Sequence, residues 1–258
     1  MEDPSLHKTK GESRRYPNPP ITEAVIEVKF DAAALDDERR HVSAKVAEFY
    51  PNDSVSEHQA VHLDMERKRV ELRTDSSVYR RSSHDESEIL LLGPQNFLLS
   101  QLAVYPGWDY FFGRFRRDWE IWRKAMGYRK IARIGVRFIN RIDVPMEGTE
   151  VHHEQYLNLR IKMPDEFELI GDYSLHVEVP LLETKCLALI NSASVPSPVP
   201  GFASFVIDID IGRNIDVPQK DADMFDVLNQ IRVQKNALFE ASITDSAREK
   251  FFNEHQLR

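Results

Sequence analysis

The chain reads as an α+β fold of duplicated strand-helix-strands-helix units. Its expected form is a mainly antiparallel curved sheet with long helices packed on one face. Three observations predict this. Many segments alternate apolar and polar residues with the period of two that a half-covered strand requires. Two long segments, near 108–126 and 220–241, instead place apolar residues with helical spacing. The order of elements also repeats without any residue-level repeat: strand, helix, three or four strands, long helix, then strand, short helix, three strands, long helix. Strands and helices do not alternate one by one, so a doubly wound parallel sheet is not indicated.

Residues 1–16 are charged, lack a period and read as a flexible N-terminal arm. Tyr16-Pro17-Asn18-Pro19-Pro20 is a proline-stiffened lead-in. From Glu23 to Phe30 the chain alternates, with Ala24, Ile26, Val28 and Phe30 on one side and Glu23, Glu27 and Lys29 with Val25 on the other. Asp36 or Asp37 is the expected cap of a helix to about Tyr50, with Val42, Val46 and Phe49 as its stripe. Strands follow near 55–65, 69–81, 87–93 and 96–103, with Arg69, Glu71 and Arg73 sharing a side. Trp108 to Met126 is a strongly amphipathic helix whose stripe is Phe111, Phe112, Phe115, Trp119 and Trp122, and Gly127 stops it. Aromatics at helical spacing read as core.

The longest strand is predicted over Arg129–Val144. Arg133, Arg137, Arg141 and Asp143 share one face with Gly135; Asn140 interrupts the apolar face and reads as satisfying backbone at a bulge. A short helix is expected within 150–162, then strands at 172–180, 184–192 and 202–212. A helix from about Lys220 to Ala241, capped by Asp221 or Asp223, buries Phe225, Leu228, Ile231, Leu238 and Phe239. A short one follows from Thr244 to Phe252. The halves are 17–128 and 129–258, joined as one compact unit.

Composition narrows function. The 258 residues carry a formal net charge of -8, which does not favour nucleic acid as a partner. The single cysteine, Cys186, lies in an apolar run; no disulfide or Cys-x-x-Cys motif can form within the chain. The polar start predicts no signal peptide, and no run suits a membrane helix, so a reducing cytoplasm is the expected location and no membrane partner is expected. His152-His153 lacks zinc spacing, and neither phosphate-loop glycines nor a Gly-x-Ser-x-Gly elbow is present.

The opening Asn18-Pro19-Pro20-Ile21-Thr22-Glu23-Ala24-Val25-Ile26-Glu27-Val28-Lys29-Phe30 resembles the N-terminal signature of a sporadically distributed, uncharacterised bacterial family of similar length. Gly135-Val136-Arg137-Phe138-Ile139-Asn140-Arg141-Ile142, and Phe239-Glu240 followed by Ile243-Thr244, match its pattern too. Leu228-Asn229 departs from the Leu-His pair often found there. The resemblance implies an accessory role, such as phage defence or a mobile element, and brings no activity, cofactor or catalytic residue.

If there is a site, the strand faces opposite the apolar one hold it. The candidate ligand-binding residues are Glu23, Glu27, Lys29, Arg133, Arg137, Arg141, Asp208 and Asp210, with His176 and Glu178 nearby in pattern. Arginine rows suit phosphate or carboxylate because the guanidinium fork donates two parallel hydrogen bonds. Asp208 and Asp210 could hold Mg2+. A solvated sheet face of mixed charge explains the same residues. Two functions follow. One is a non-enzymatic binding protein without cofactor, whose partner is another protein or a second copy. The alternative is a Mg2+-dependent phosphate- or nucleotide-handling enzyme, distantly similar to triphosphate-tunnel proteins. Their Glu-x-Glu-x-Lys spacing is broken here at Glu23, Glu27 and Lys29.

Overall fold

A computed structural model describes residues 16–64, 69–146, 153–161, 164 and 172–252, with backbone alone over 57–64 and 69–76. The architecture is α+β, with one nine-stranded antiparallel sheet. In chain order the elements are β1 (Ile21–Phe30), α1 (Asp36–Lys45), β2 (Asn52–Asp64), β3 (Arg69–Ser82), β4 (Glu88–Leu92), β5 (Asn96–Leu102) and α2 (Trp108–Met126). Then come β6 (Ile131–Pro145), β7 (Ser174–Leu181), β8 (Cys186–Val195), β9 (Phe202–Arg213), α3 (Asp221–Ser242) and α4 (Asp245–Ala247). The spatial order is β2-β3-β4-β5-β1-β6-β9-β8-β7. Strand β1 therefore pairs with β5 on one side and β6 on the other, with Ile26 opposite both Leu99 and Val136.

The apolar phase of each central strand is buried, as alternation requires: Ala24, Ile26 and Val28 of β1, Leu99 of β5, Ile134, Val136 and Phe138 of β6, and Ile207, Ile209 and Ile211 of β9 are all fully buried. Helix α2 covers this layer with its aromatic stripe. The Trp122 ring stacks on Phe30 of β1 at 4.4 Å, and Trp119 meets Phe97 of β5 edge-on at 5.7 Å. Helix α3 joins through Phe225, edge-on to Phe112 at 5.7 Å, and through Lys235, whose ammonium lies 3.9 Å from the Phe138 ring centre. Fully burying one such aromatic contributes about 1.5–3 kcal/mol, so the α2 stripe is a principal source of stability. Gly127 ends α2 with φ +67°, a backbone that glycine adopts without a side-chain clash, and its N–H bonds to the Arg123 carbonyl.

The expected caps are corrected. Leu35, not Asp36 or Asp37, precedes α1, and its N–H donates to Glu38 Oε2 at 2.8 Å. Asp36 instead accepts from Ser77 and from Tyr79 Oη, and these bonds hold its carboxyl below the usual range. The tertiary acceptor role outcompetes the local cap. Lys220 precedes α3, so neither Asp221 nor Asp223 caps it. The first helix ends at Lys45 rather than Tyr50. Of the helix expected within 150–162, the described residues hold one 3-10 turn, His153–Gln155; the rest of that expectation, and the arm before residue 16, lie outside them. The expected helix from Thr244 is a short α turn, capped by the Thr244 hydroxyl, that continues as a π turn over Arg248–Phe252. Asn140 is buried, its Nδ2 donates to the Ile207 carbonyl at 3.0 Å, and the β1–β6 register shifts beside it between Ile21 and Glu23.

Candidate functional site

The polar phase of the central strands is not a loose scatter of charge. It forms two ladders across the sheet. In the first, Arg133 runs along β6 over Gly135 and its direct partner on β9, Gly212. A Cβ at Gly135 would stand 2.5 Å from Arg133 Nη1, and one at Gly212 would stand 2.6 Å from Nη2, so the two glycines make the trough in which the guanidinium lies. From there Nη1 donates to Glu27 Oε2 of β1 at 2.8 Å and Nη2 to both oxygens of Asp210 of β9 at 2.8 and 2.9 Å. Lys29 adds an ion pair to Glu27 at 3.5 Å.

The second ladder lies further along the same strands. Arg137 binds Asp208 with two parallel bonds, Nε to Oδ1 at 2.8 Å and Nη2 to Oδ2 at 2.7 Å. The bond to Asp208 raises the Arg137 pKa further, so the guanidinium is permanently charged. Asn191 of β8 donates to Asp208 at 3.2 Å and contacts His176 Nδ1 of β7 at 2.6 Å. His176 also lies 3.8 Å from Glu178.

A cavity of about 470 Å³ opens on this face. Six of the eight sequence-derived candidates line it: Glu23, Glu27, Lys29, Arg133, Arg137 and Asp210. Asp208 stands behind Arg137. Arg141 does not join them; it pairs with Asp143 at 3.1 Å further along β6, and Asp143 accepts from Ser204 at 2.5 Å. The other half of the cavity is an apolar floor of Val25, Ile89, Leu91 and Leu98, with Arg80 at its margin. Glu23 accepts from Ser100 Oγ at 2.6 Å at the boundary between the halves.

The sequence pattern misses Arg80 and this floor. Plain alternation from Arg69 through Arg73 does not select Arg80, and the β2–β3 ladder shifts register where His58 pairs with Ser76 and Gln59 with Thr74. Strand β4, Glu88–Leu92, is an almost continuous apolar run whose alternation shows only in its partners. The side chains of Arg69, Glu71 and Arg73 lie outside the described residues. Among the described residues no group of three or more His, Cys, Asp or Glu side chains is arranged to hold a metal ion. Asp208 and Asp210 face different arginines instead of one shared point.

No family model matches the chain. A search of curated proteins also finds no match. Among solved structures, the crystal structure of an unknown protein from Galdieria sulphuraria aligns over 83% of this chain and 93% of that one, at 11% identity. Its TM-score of 0.17 is too low for the alignment to carry an argument.

Proposed function

We propose that the chain is a non-enzymatic binding protein that takes its partner in the sheet cavity. The observation that carries this reading is the state of the charged groups. Arg133 and Arg137 are each held by carboxylates of neighbouring strands, and Glu27, Asp208 and Asp210 are each held by arginine. A carboxylate whose lone pairs already accept guanidinium bonds is a poor general base and a poor metal ligand. Such ladders instead fix side chains in place, and a fixed polar wall beside an apolar floor suits recognition of an amphipathic segment of a protein, either another chain or a second copy. The resemblance of the opening strand supports placing that partner in a bacterial accessory system, with phage defence or a mobile element as examples. Among the described residues, no helix is long and apolar enough to cross a membrane.

Copurification from the native host tests this reading, with Leu91→Asp as the control that breaks the apolar floor. A partner lost in the variant supports it; a monomer without a partner leaves it without support.

One observation favours the alternative, a phosphate- or nucleotide-handling enzyme: six charged candidates do share one cavity. Under that reading a triphosphate with Mg2+ displaces the internal carboxylates from Arg133 and Arg137. Thermal melts with Mg2+ and a panel of nucleotides and tripolyphosphate separate the two.

The strand order also supports the duplicated plan. Outward from the β1–β6 join the order is β1, β5, β4, β3, β2 on one side and β6, β9, β8, β7 on the other, so the first side carries one strand more. Each half places its first strand at the join and its last strand beside it. Contacts of α2 with Phe30 and Phe97, and of α3 with Phe138, support the placing of both long helices against the same apolar layer.

A further inference from the structure

Strand β7 ends the sheet, and among the described residues no strand pairs with its outer side. We propose that this edge binds a second copy of the chain. The two β7 strands pair antiparallel about a two-fold axis at Val177 and join two nine-stranded sheets into one. The surface is separate from the sheet cavity, so this proposal does not depend on what the cavity binds.

Backbone phase comes first. The Ser194 N–H donates to the Tyr173 carbonyl at 3.1 Å, so Tyr173 aims its backbone groups at β8. By antiparallel alternation Leu175, Val177, Val179 and Leu181 do the same, while Ser174, His176, Glu178 and Pro180 aim theirs outward. Pro180 agrees with this phase, because a ring without an N–H costs the ladder nothing at an outward position. An axis at Val177 sets His176 opposite the partner's Glu178, and Glu178 opposite the partner's His176. Each of these two pairs exchanges two backbone hydrogen bonds. Ser174 falls opposite the partner's Pro180 and donates to its carbonyl, so the proline removes no donor from the centre of the pairing. The neighbouring two-fold registers are poorer. An axis at His176 sets imidazole against imidazole, and one at Glu178 sets carboxylate against carboxylate.

The side chains favour a second copy over an unrelated strand. His176 and Glu178 lie on the face of the charged ladders, with side chains 55% and 62% exposed. Among the described residues Glu178 has no lysine or arginine partner; its one charged contact is His176 of its own strand, at 3.8 Å. Charge on an edge strand ordinarily deters pairing. Here the two groups are of opposite character and two residues apart, so the same edge run antiparallel complements itself. The other face tells the same story. Leu175, Val177 and Val179 pair with Ser192, Ile190 and Ala188 of β8, which are buried, yet the three themselves are only half-buried. The apolar layer thus reaches the edge unfinished. The axis sets Val177 beside the partner's Val177, and Leu175 beside the partner's Val179. One register matches backbone, charge and apolar cover at once.

Sedimentation velocity of the full chain, from micromolar to near-millimolar protein, tests this. The expected result is a reversible monomer–dimer equilibrium. Glu178→Pro removes an outward N–H from each copy and should leave the melting temperature of the monomer close to that of the parent, because the β7–β8 ladder does not use that group. It should weaken the dimer about thirtyfold, since symmetry removes two hydrogen bonds. His176→Glu opposes two carboxylates and should also weaken the dimer; adding Glu178→Lys should restore it. That restoration reads the register, because an axis at His176 keeps the glutamates opposed and one at Glu178 opposes two lysines. A monomer at every concentration, a dimer untouched by Glu178→Pro, or a double variant that fails to recover overturns the proposal. In a monomer, slow amide exchange at Ser174, His176 and Glu178 would show the edge closed by the chain itself, and fast exchange would leave it to a strand of another protein.

Discussion

Lys235 offers a prediction whose size follows from its surroundings. It lies in the middle of α3, 7% exposed, with its ammonium against the Phe138 ring. Burial is the main cause that pushes its pKa down to about 7; Arg232 pushes the same way and Glu240 opposes them. The unfolded chain holds that proton up to about pH 10.4. Between these values the unfolded state binds more protons than the folded one, so stability rises with pH across the window. Each pH unit of linkage is about 1.4 kcal/mol, which makes the lysine cost about 4 kcal/mol at pH 7 and about 2 kcal/mol at pH 9. Lys235→Met keeps the length of the side chain and removes the charge. It forfeits a cation–π contact of about 1 kcal/mol. Urea unfolding of both proteins at pH 7, 8 and 9 reads the difference. The variant should be the more stable by about 3 kcal/mol at pH 7, and that lead should shrink by about 2 kcal/mol at pH 9. A difference that does not change with pH would refute the reasoning, because it would mean the lysine keeps its proton in the fold throughout, its ammonium hydrated.

Substitutions at three further positions probe the ties around the sheet. Asp118, fully buried, accepts from Tyr50 Oη at 2.5 Å and from Arg117 Nε at 2.7 Å; Asp118→Ala should cost about 3–5 kcal/mol in chemical denaturation, and Asp118→Asn clearly less. Asn140→Leu strands the Ile207 carbonyl side of its bond and should cost about 1–3 kcal/mol by the same measurement. Gly135→Ala should push the Arg133 guanidinium out of its trough without unfolding the chain. A double-mutant cycle with Arg133→Gln reads this: the arginine substitution should cost less in the alanine background, and equal costs would mean the trough does not position the guanidinium.

The sequence made most of the fold legible because the central strands bury alternate residues. Alternation from Ala24 to Phe30 and from Ile134 to Val144 reports one wet and one dry face, and both strands lie where that pattern put them. The stop of α2 was equally plain, at Gly127. The caps of α1 and α3 were not, since an Asp near a helix start has other partners available; Asp36 is taken by Ser77 and Tyr79 from a distant strand. For the candidate site, the pattern selected the charged groups but not who holds whom. The reach of Arg133 to Asp210 crosses four residues along the strand, and only the glycine pair Gly135 and Gly212 allows it. That pairing is a fact of register between strands 77 residues apart, which alternation within one strand does not contain. Arg141, identical in phase to Arg133 and Arg137, falls outside the cavity because β6 carries it past the end.

The central claim is that the arginines of the sheet cavity are spent on internal carboxylates and frame a binding surface. Thermal melts with Mg2+ and tripolyphosphate address it most directly. The account predicts an unchanged melting temperature in the parent and in Arg137→Gln alike. A site for that ligand, at a hundred times its dissociation constant, would add about 2.7 kcal/mol and raise the midpoint by roughly 5–10 °C. Such a rise in the parent, lost in Arg137→Gln, would contradict the account and make the cavity a phosphate-handling site.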